Sequence, residues 1–262
     1  MTIRVFSTPR AAAHALAAHI AQAVAANPRL VLGLPSGRTP IPLYRELTAL
    51  CRSRRIDFSR TTTFNLDEFL GVAARAPGSY RAFMQRHLFD RVNLPPGRVH
   101  FLNGTARNAA GECDRYERAI ARAGGIDLQI LGLGLNGHIG FNEPAATLRA
   151  RTHRTRLSLA TRRANKSLFG NRLDAVPREA LSMGMATILR ARQIVLLVTG
   201  REKARTVERM IAGPLTPKLP ASFLQLHDRV EVWLDRGAGS RLRRTTRNLQ
   251  FTIKNQEFIL NS

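Results

Sequence analysis

The strongest constraint on the fold of this chain is a rhythm. Short apolar runs alternate with longer amphipathic segments from the N-terminus to about Asp235, and turn residues sit between them. Repeated strand-then-helix patterning predicts βαβ units, because parallel strands need a crossover to connect them. The expectation is an α/β fold: an open, mostly parallel Rossmann-like sheet with helices on both faces. Strands are predicted at MTIRVF, Leu30–Leu34, Thr61–Leu66, Val99–Leu102, Ile126–Leu133, Gln193–Val198 and Val230–Asp235. Helices are predicted from a Ser7 or Thr8 cap to about Asn27, then near Pro42–Arg52, Ser79–Val92, Asn108–Ala123, Pro177–Arg190 and Glu202–Ile211.

With 262 residues, one domain is the prior. The patterning assigns it residues 1–236 and leaves 237–262 as a basic C-terminal tail. Two distant cysteines, Cys51 and Cys113, argue against a disulfide scaffold or a zinc ribbon and fit a cytoplasmic setting. No apolar run is long enough to span a membrane, and the start has no secretory pattern. The formal net charge of +23 invites a nucleic-acid reading. The arginines are spread over many segments, however, so the sequence argues against nucleic acid as a partner. It expects duplex DNA to bind weakly and to lose affinity steeply with salt.

Ligands in open α/β sheets bind outside the carboxyl ends of strands. Four predicted strand ends carry chemistry: PSGRT, NLDEF, NGHIGFNEP and TGREK. In the first, Gly37 can adopt positive φ, and the amides that follow form an anion nest at a helix start, with Ser36 and Thr39 adding hydroxyls. Lys203, in the first turn of its helix, opposes the dipole, which points to an anion nearby. Asp67 and Glu68 are adjacent on an extended chain, so one can face a cleft while the other holds the loop. His138 lies within a turn of Glu143. A carboxylate on one ring nitrogen would free the other for proton transfer. Gly132, Gly134 and Gly137 match G-x-G-x-x-G, but no helix opens there and no acid follows at the ribose spacing, which disfavours a dinucleotide. No spacing suggests a metal.

These stretches, with TRRANKSLF and FLQLH, resemble in order the signatures of the glucosamine-6-phosphate deaminase (isomerase) family from Thr2 to Asp235. The resemblance implies deamination and aldose–ketose isomerisation of glucosamine 6-phosphate, with water taken up, to fructose 6-phosphate and ammonia. It needs no cofactor, and the uptake of water files it as a hydrolase. It assigns ring opening to His138 with Glu143 and Asn136, and proton transfer between C2 and C1 to Asp67. Substrate phosphate falls to Ser36, Gly37, Arg38, Thr39, Arg162 and Lys203. A homo-oligomer is compatible with it. Related 6-phosphogluconolactonases usually carry aspartate before Gly-His and lack FNEP, and regulator relatives carry a helix-turn-helix for which the first strand leaves no room. A lactonase or a non-enzymatic sugar-phosphate sensor are therefore the rival readings.

Two positions depart from the family pattern. Arg38 stands where many members have glycine or serine, and Asn136 where some have aspartate. Some members are hexamers activated by N-acetylglucosamine 6-phosphate through an arginine and a lysine. Their positions here hold His153 and Thr155, with Arg151, Arg154 and Arg156 alongside, so weak or absent activation is expected.

Overall fold

The computed structural model describes residues 1–242. The elements run β1 (Thr2–Phe6), α1 (Pro9–Ala26), β2 (Val31–Leu34), α2 (Ile41–Arg52), β3 (Thr62–Asn65), β4 (Asp67–Phe69) and α3 (Tyr80–His87). They continue with β5 (Val99–His100), α4 (Ala109–Arg122), β6 (Leu128–Gly132), β7 (His153–Arg156) and α5 (Leu159–Asn165). The last are β8 (Glu179–Ser182), α6 (Met185–Leu189), β9 (Gln193–Val198), α7 (Ala204–Ala212) and β10 (Val230–Asp235).

Seven strands form one parallel sheet in the order β1-β10-β9-β6-β2-β3-β5. Alternate residues of each strand serve opposite faces. Leu32, Leu34, Val195 and Leu197 pack under α1, α2 and α3, while Val31, Ile194, Leu196 and Val198 pack on α4, α6 and α7. Both faces are thus covered, as parallel sheets require. Thr8, not Ser7, caps α1, accepting from the Ala11 amide at 3.1 Å. Among the described residues no helix is long and apolar enough to cross a membrane.

The predicted helix over Pro177–Arg190 does not form as such. Its first half is β8, and only Met185–Leu189 is helical. β8 pairs antiparallel with β4 and β7 in a second, three-stranded sheet. Gly184 then breaks the chain: a Cβ there would lie 2.2 Å from the Arg151 carbonyl oxygen. The predicted strand Thr61–Leu66 forms as β3, and a further strand that the patterning did not predict follows it, because the chain leaves the large sheet after Asn65 and enters the small one at Asp67. Residues 237–242 belong to the described body, with Ala238 fully buried; the rest of the expected tail lies outside the described residues.

Strand order is what makes a site. β9, β6, β2 and β3 are consecutive neighbours, and the loops bearing the four suggestive motifs all leave their carboxyl ends. The helix after β2 lies on one face of the sheet, and the next large-sheet crossover helix after β6, α6, lies on the other. The crevice between β2 and β6 is therefore the switch point where such folds take ligands.

Candidate functional site

Asp67 opens β4 opposite Ser182 and is 6% exposed, and its carboxylate makes no hydrogen bond among the described residues. Burial, with the Glu68 carboxylate beside it, pushes Asp67 up to about 8. Glu68 points the other way, as adjacent strand residues must. It accepts from the amides of Phe69, Tyr80 and Arg81, each at 2.9 Å, and so ties β4 to the start of α3. Burial pushes Glu68 up to about 7, against the pull of those amides.

Glycine brings the His138 loop against Asp67. Gly140 has φ +56°, and a Cβ on it would sit 3.0 Å from Ser182 Oγ and 3.5 Å from Asp67 Oδ2. The His138 ring lies over Gly134, where any Cβ would come within 2.5 Å of three ring atoms. Gly134 therefore excludes a side chain by space, and Gly140 disfavours one by backbone conformation and close packing.

The expected contact between His138 and Glu143 is indirect. His138 Nδ1 is 3.8 Å from Glu143 Oε2, and Asn136 stands between them. The Asn136 Nδ2 donates to Glu143 Oε2 at 2.8 Å, and its Oδ1 lies 2.7 Å from His138 Nδ1. The chemistry orients the amide. An ionised Glu143 only accepts, so the NH₂ end must face it and the carbonyl end must face the ring. Nδ1 then carries the ring proton, and Nε2 is left as a base. Burial lowers the affinity of the His138 ring for a second proton; Glu143 opposes that and Lys203 adds to it. Burial alone would raise Glu143, yet hydrogen bonds from Thr161, Asn136 and Ser158, with the His138 ring, hold it low.

Sequence reasoning missed Ser158 and Thr161. Ser158 Oγ donates to Glu143 Oε1 at 3.1 Å and also accepts from the Thr161 amide as the α5 cap. The S-x-x-T pattern before TRRAN marks a cap, but nothing local in it points to Glu143.

At the end of β2, Gly37 has φ +103° and open space where a Cβ would be. The amides of Ser36, Gly37, Arg38 and Thr39 donate to no acceptor among the described residues, and the buried Ser36 Oγ has no partner. Arg38 turns its side chain to Ser167 Oγ at 3.1 Å, just beyond α5. The two expected phosphate cations are committed to carbonyls. Arg162 donates to Leu173 at 2.7 Å and to Val176 at 3.0 Å, and Lys203 Nζ donates to Leu133. Burial lowers the Lys203 pKa, with Glu202 opposing.

The arrangement offers a buried carboxylate, a neutral imidazole of fixed tautomer and a cluster of free amides. Known proteins resemble the chain to differing degrees. A family model described as glucosamine-6-phosphate isomerases/6-phosphogluconolactonase matches residues 7–233. A glucosamine-6-phosphate deaminase of Halothermothrix orenii is 48% identical over 223 residues, which cover 85% of this chain and 92% of that protein. A solved structure of a monomeric glucosamine-6-phosphate deaminase has a TM-score of 0.89 at 39% identity and covers 93% of this chain and 100% of its own. A 6-phosphogluconolactonase from Trypanosoma cruzi has a TM-score of 0.72 at 22% identity, covering 92% of this chain and 96% of its own, a likeness of fold.

Proposed function

The chain belongs to the glucosamine-6-phosphate isomerase and deaminase family, and on that premise we propose how its residues divide the conversion of glucosamine 6-phosphate to fructose 6-phosphate and ammonia. The family description is of isomerases, so the hydrolase label expected from the uptake of water gives way to isomerase and deaminase.

The sugar ring opens first. His138 Nε2 takes the proton of the anomeric hydroxyl as the C1–O5 bond breaks, and the ring oxygen is protonated in exchange. Asp67, ionised, then takes the C2 proton and returns it to C1 while a proton passes from the nitrogen to O1, so the open-chain aldehyde becomes the C2 imine of the ketose. Water replaces the nitrogen and ammonia leaves. The amides of residues 36–39 and the Ser36 hydroxyl bind the phosphate. A dianion also draws Arg162 and Lys203 off their carbonyls, because a cation gains more from a full opposite charge than from a neutral carbonyl dipole.

The observation that carries this reading is the Glu143–Asn136–His138 relay beside Asp67. The test is ammonia release from glucosamine 6-phosphate by the purified protein, run beside hydrolysis of 6-phosphogluconolactone. Ammonia without lactone hydrolysis supports it, and the reverse result overturns it.

The relay makes a sharper prediction. Asn136→Asp puts a carboxylate against the Nδ1 proton, which stabilises the imidazolium and raises the ring pKa. The acid limb of the kcat–pH profile is expected to move to higher pH. An unmoved limb would show that Asn136 does not set the state of the ring.

Regulation follows from the small sheet. His153 Nδ1 donates to the Arg151 carbonyl at 3.0 Å, so Nε2 is an acceptor, and burial keeps the ring neutral. Arg154 is bound in a fork by Glu179, and Arg151 leans toward Asp114 at 3.8 Å. A phosphate dianion meets an acceptor nitrogen and a hydroxyl where two fixed cations would hold it. Allosteric coupling is typically ~1–3 kcal/mol, and this site lacks the charge to supply it. Substrate dependence is expected to be hyperbolic and unchanged by saturating N-acetylglucosamine 6-phosphate. A several-fold fall in half-saturation on adding it would refute this.

A further inference from the structure

The arginines look scattered along the sequence, but parallel topology gathers many of them. Every strand of the large sheet runs the same way, so the loops entering the strands all lie at one edge, opposite the site described above. Arg29 precedes β2, Arg54, Arg55 and Arg60 precede β3, Arg122 precedes β6 and Arg229 precedes β10, and all are exposed. None of these six has an ion-pair partner among the described residues. The carboxylates at this edge are fewer than the arginines and offset only part of their charge: the exposed Asp57 and Asp228 stand against six arginines. Asp127 is taken by Arg192 at 2.8 Å, and Asp57 is held by Asn93 and the Ser59 amide. A cleft of about 220 Å³ lies between the end of α1 and the β3 entry loop, lined by Arg54, Arg55 and Arg60 with Asp57 the one acidic residue among them. Helix dipoles explain Arg122, in the last turn of α4, but Arg29, Arg54, Arg55, Arg60 and Arg229 lie outside the helices.

We propose that this edge is a docking surface for the phosphate backbone of duplex nucleic acid, bound without sequence preference. In the sheet, β10 and β3 are four strand spacings apart, roughly 19 Å, a length over which a duplex presents about six phosphates per strand. Arginine suits such contacts because its planar fork pairs with phosphate oxygens. Single strands are the poorer fit. They are gripped largely by stacking bases on aromatic rings, and the exposed large apolar residues of the described chain are all leucines. The expectation against nucleic acid rests on dispersal along the chain, and the fold removes that dispersal.

The test is fluorescence anisotropy with labelled mixed-sequence duplexes of about 25 base pairs, titrated from low to physiological salt. One variant replaces Arg29, Arg54, Arg55 and Arg60 by glutamine. A charge-matched control replaces Arg75, Arg107, Arg149 and Arg205, which lie in segments leaving the opposite ends of the strands. Thermal melts of both variants, expected to match the wild type, report folding independently of binding, and deaminase activity is expected to be unchanged in the edge variant. The edge variant should bind about tenfold or more weakly, with a log–log salt slope shallower by about 0.9 for each phosphate no longer neutralised. The control should stay within about twofold, since a distant charge is screened beyond ~10 Å. Equal weakening in both variants overturns the proposal, because net charge alone would then explain binding. Absence of binding by the wild-type protein at low salt, or tighter binding of single strands than of duplexes, also overturns it.

Discussion

Asp67→Asn is expected to lower kcat for ammonia release by about 10²–10⁴-fold and to abolish deuterium exchange at C2, the range over which positioned acid–base groups act. The carboxylate meets no hydrogen-bond donor among the described residues and lies at the Gly140 contact with the His138 loop. Burial and Glu68 put its pKa at about 8, so near neutral pH it is largely protonated in the free protein. Glucosamine 6-phosphate carries an ammonium at C2, and a cation beside a buried carboxylate favours ionisation. The substrate's own charge thus primes the base that attacks its carbon. The same pKa has a stability consequence. Raised from 3.8 to about 8, Asp67 holds a proton in the folded state that the unfolded chain releases, so wild-type stability falls as pH rises through that window. The amide that replaces it in D67N does not titrate, and thermal melts should show the variant gaining on the wild type as pH rises. Near-normal exchange into product in D67N would sink the catalytic assignment. A variant that melts early at every pH would show that the loss of activity is structural.

His138→Gln should also cost about 10²–10⁴-fold in kcat, for a different step. The ring is locked with its proton toward Asn136, and burial keeps it neutral, so Nε2 is ready to accept. Glutamine retains a polar group but offers no base. If His138 serves ring opening, an open-chain amino-alditol 6-phosphate, which cannot close, should bind H138Q as tightly as wild type. The acid limb of the kcat–pH profile that the imidazole creates should vanish with it. Loss of alditol binding in parallel with activity would assign His138 to holding the substrate instead.

Some of this was legible in one dimension because the responsible forces are local. Alternation of apolar residues marks strands, and caps such as Thr8 mark helix starts, since each depends on neighbours a few residues away. The glycine after β2 announced positive φ at Gly37, a conformation that residues with side chains rarely adopt whatever else is nearby. Glu68 and Asp67 had to diverge because successive strand side chains do. Other features depend on partners far along the chain. The RTHRTR segment is polar throughout, yet it forms β7 because β8 pairs with it, and β8 is a strand because β4 and β7 complete its backbone hydrogen bonds. Two residues within LNGHIGFNEP suggested a His138–Glu143 pair, but only the packed loop put Asn136 between them, and the amide's two unlike ends decide where the ring proton sits. Ser158 reaches Glu143 from fifteen residues away, across a turn that no periodicity predicts. The charge shows the division most plainly. Composition determined that the protein is basic, but only seven strands running in one direction decided that arginines distant in sequence would share an edge, because parallel pairing puts every strand entry at the same end.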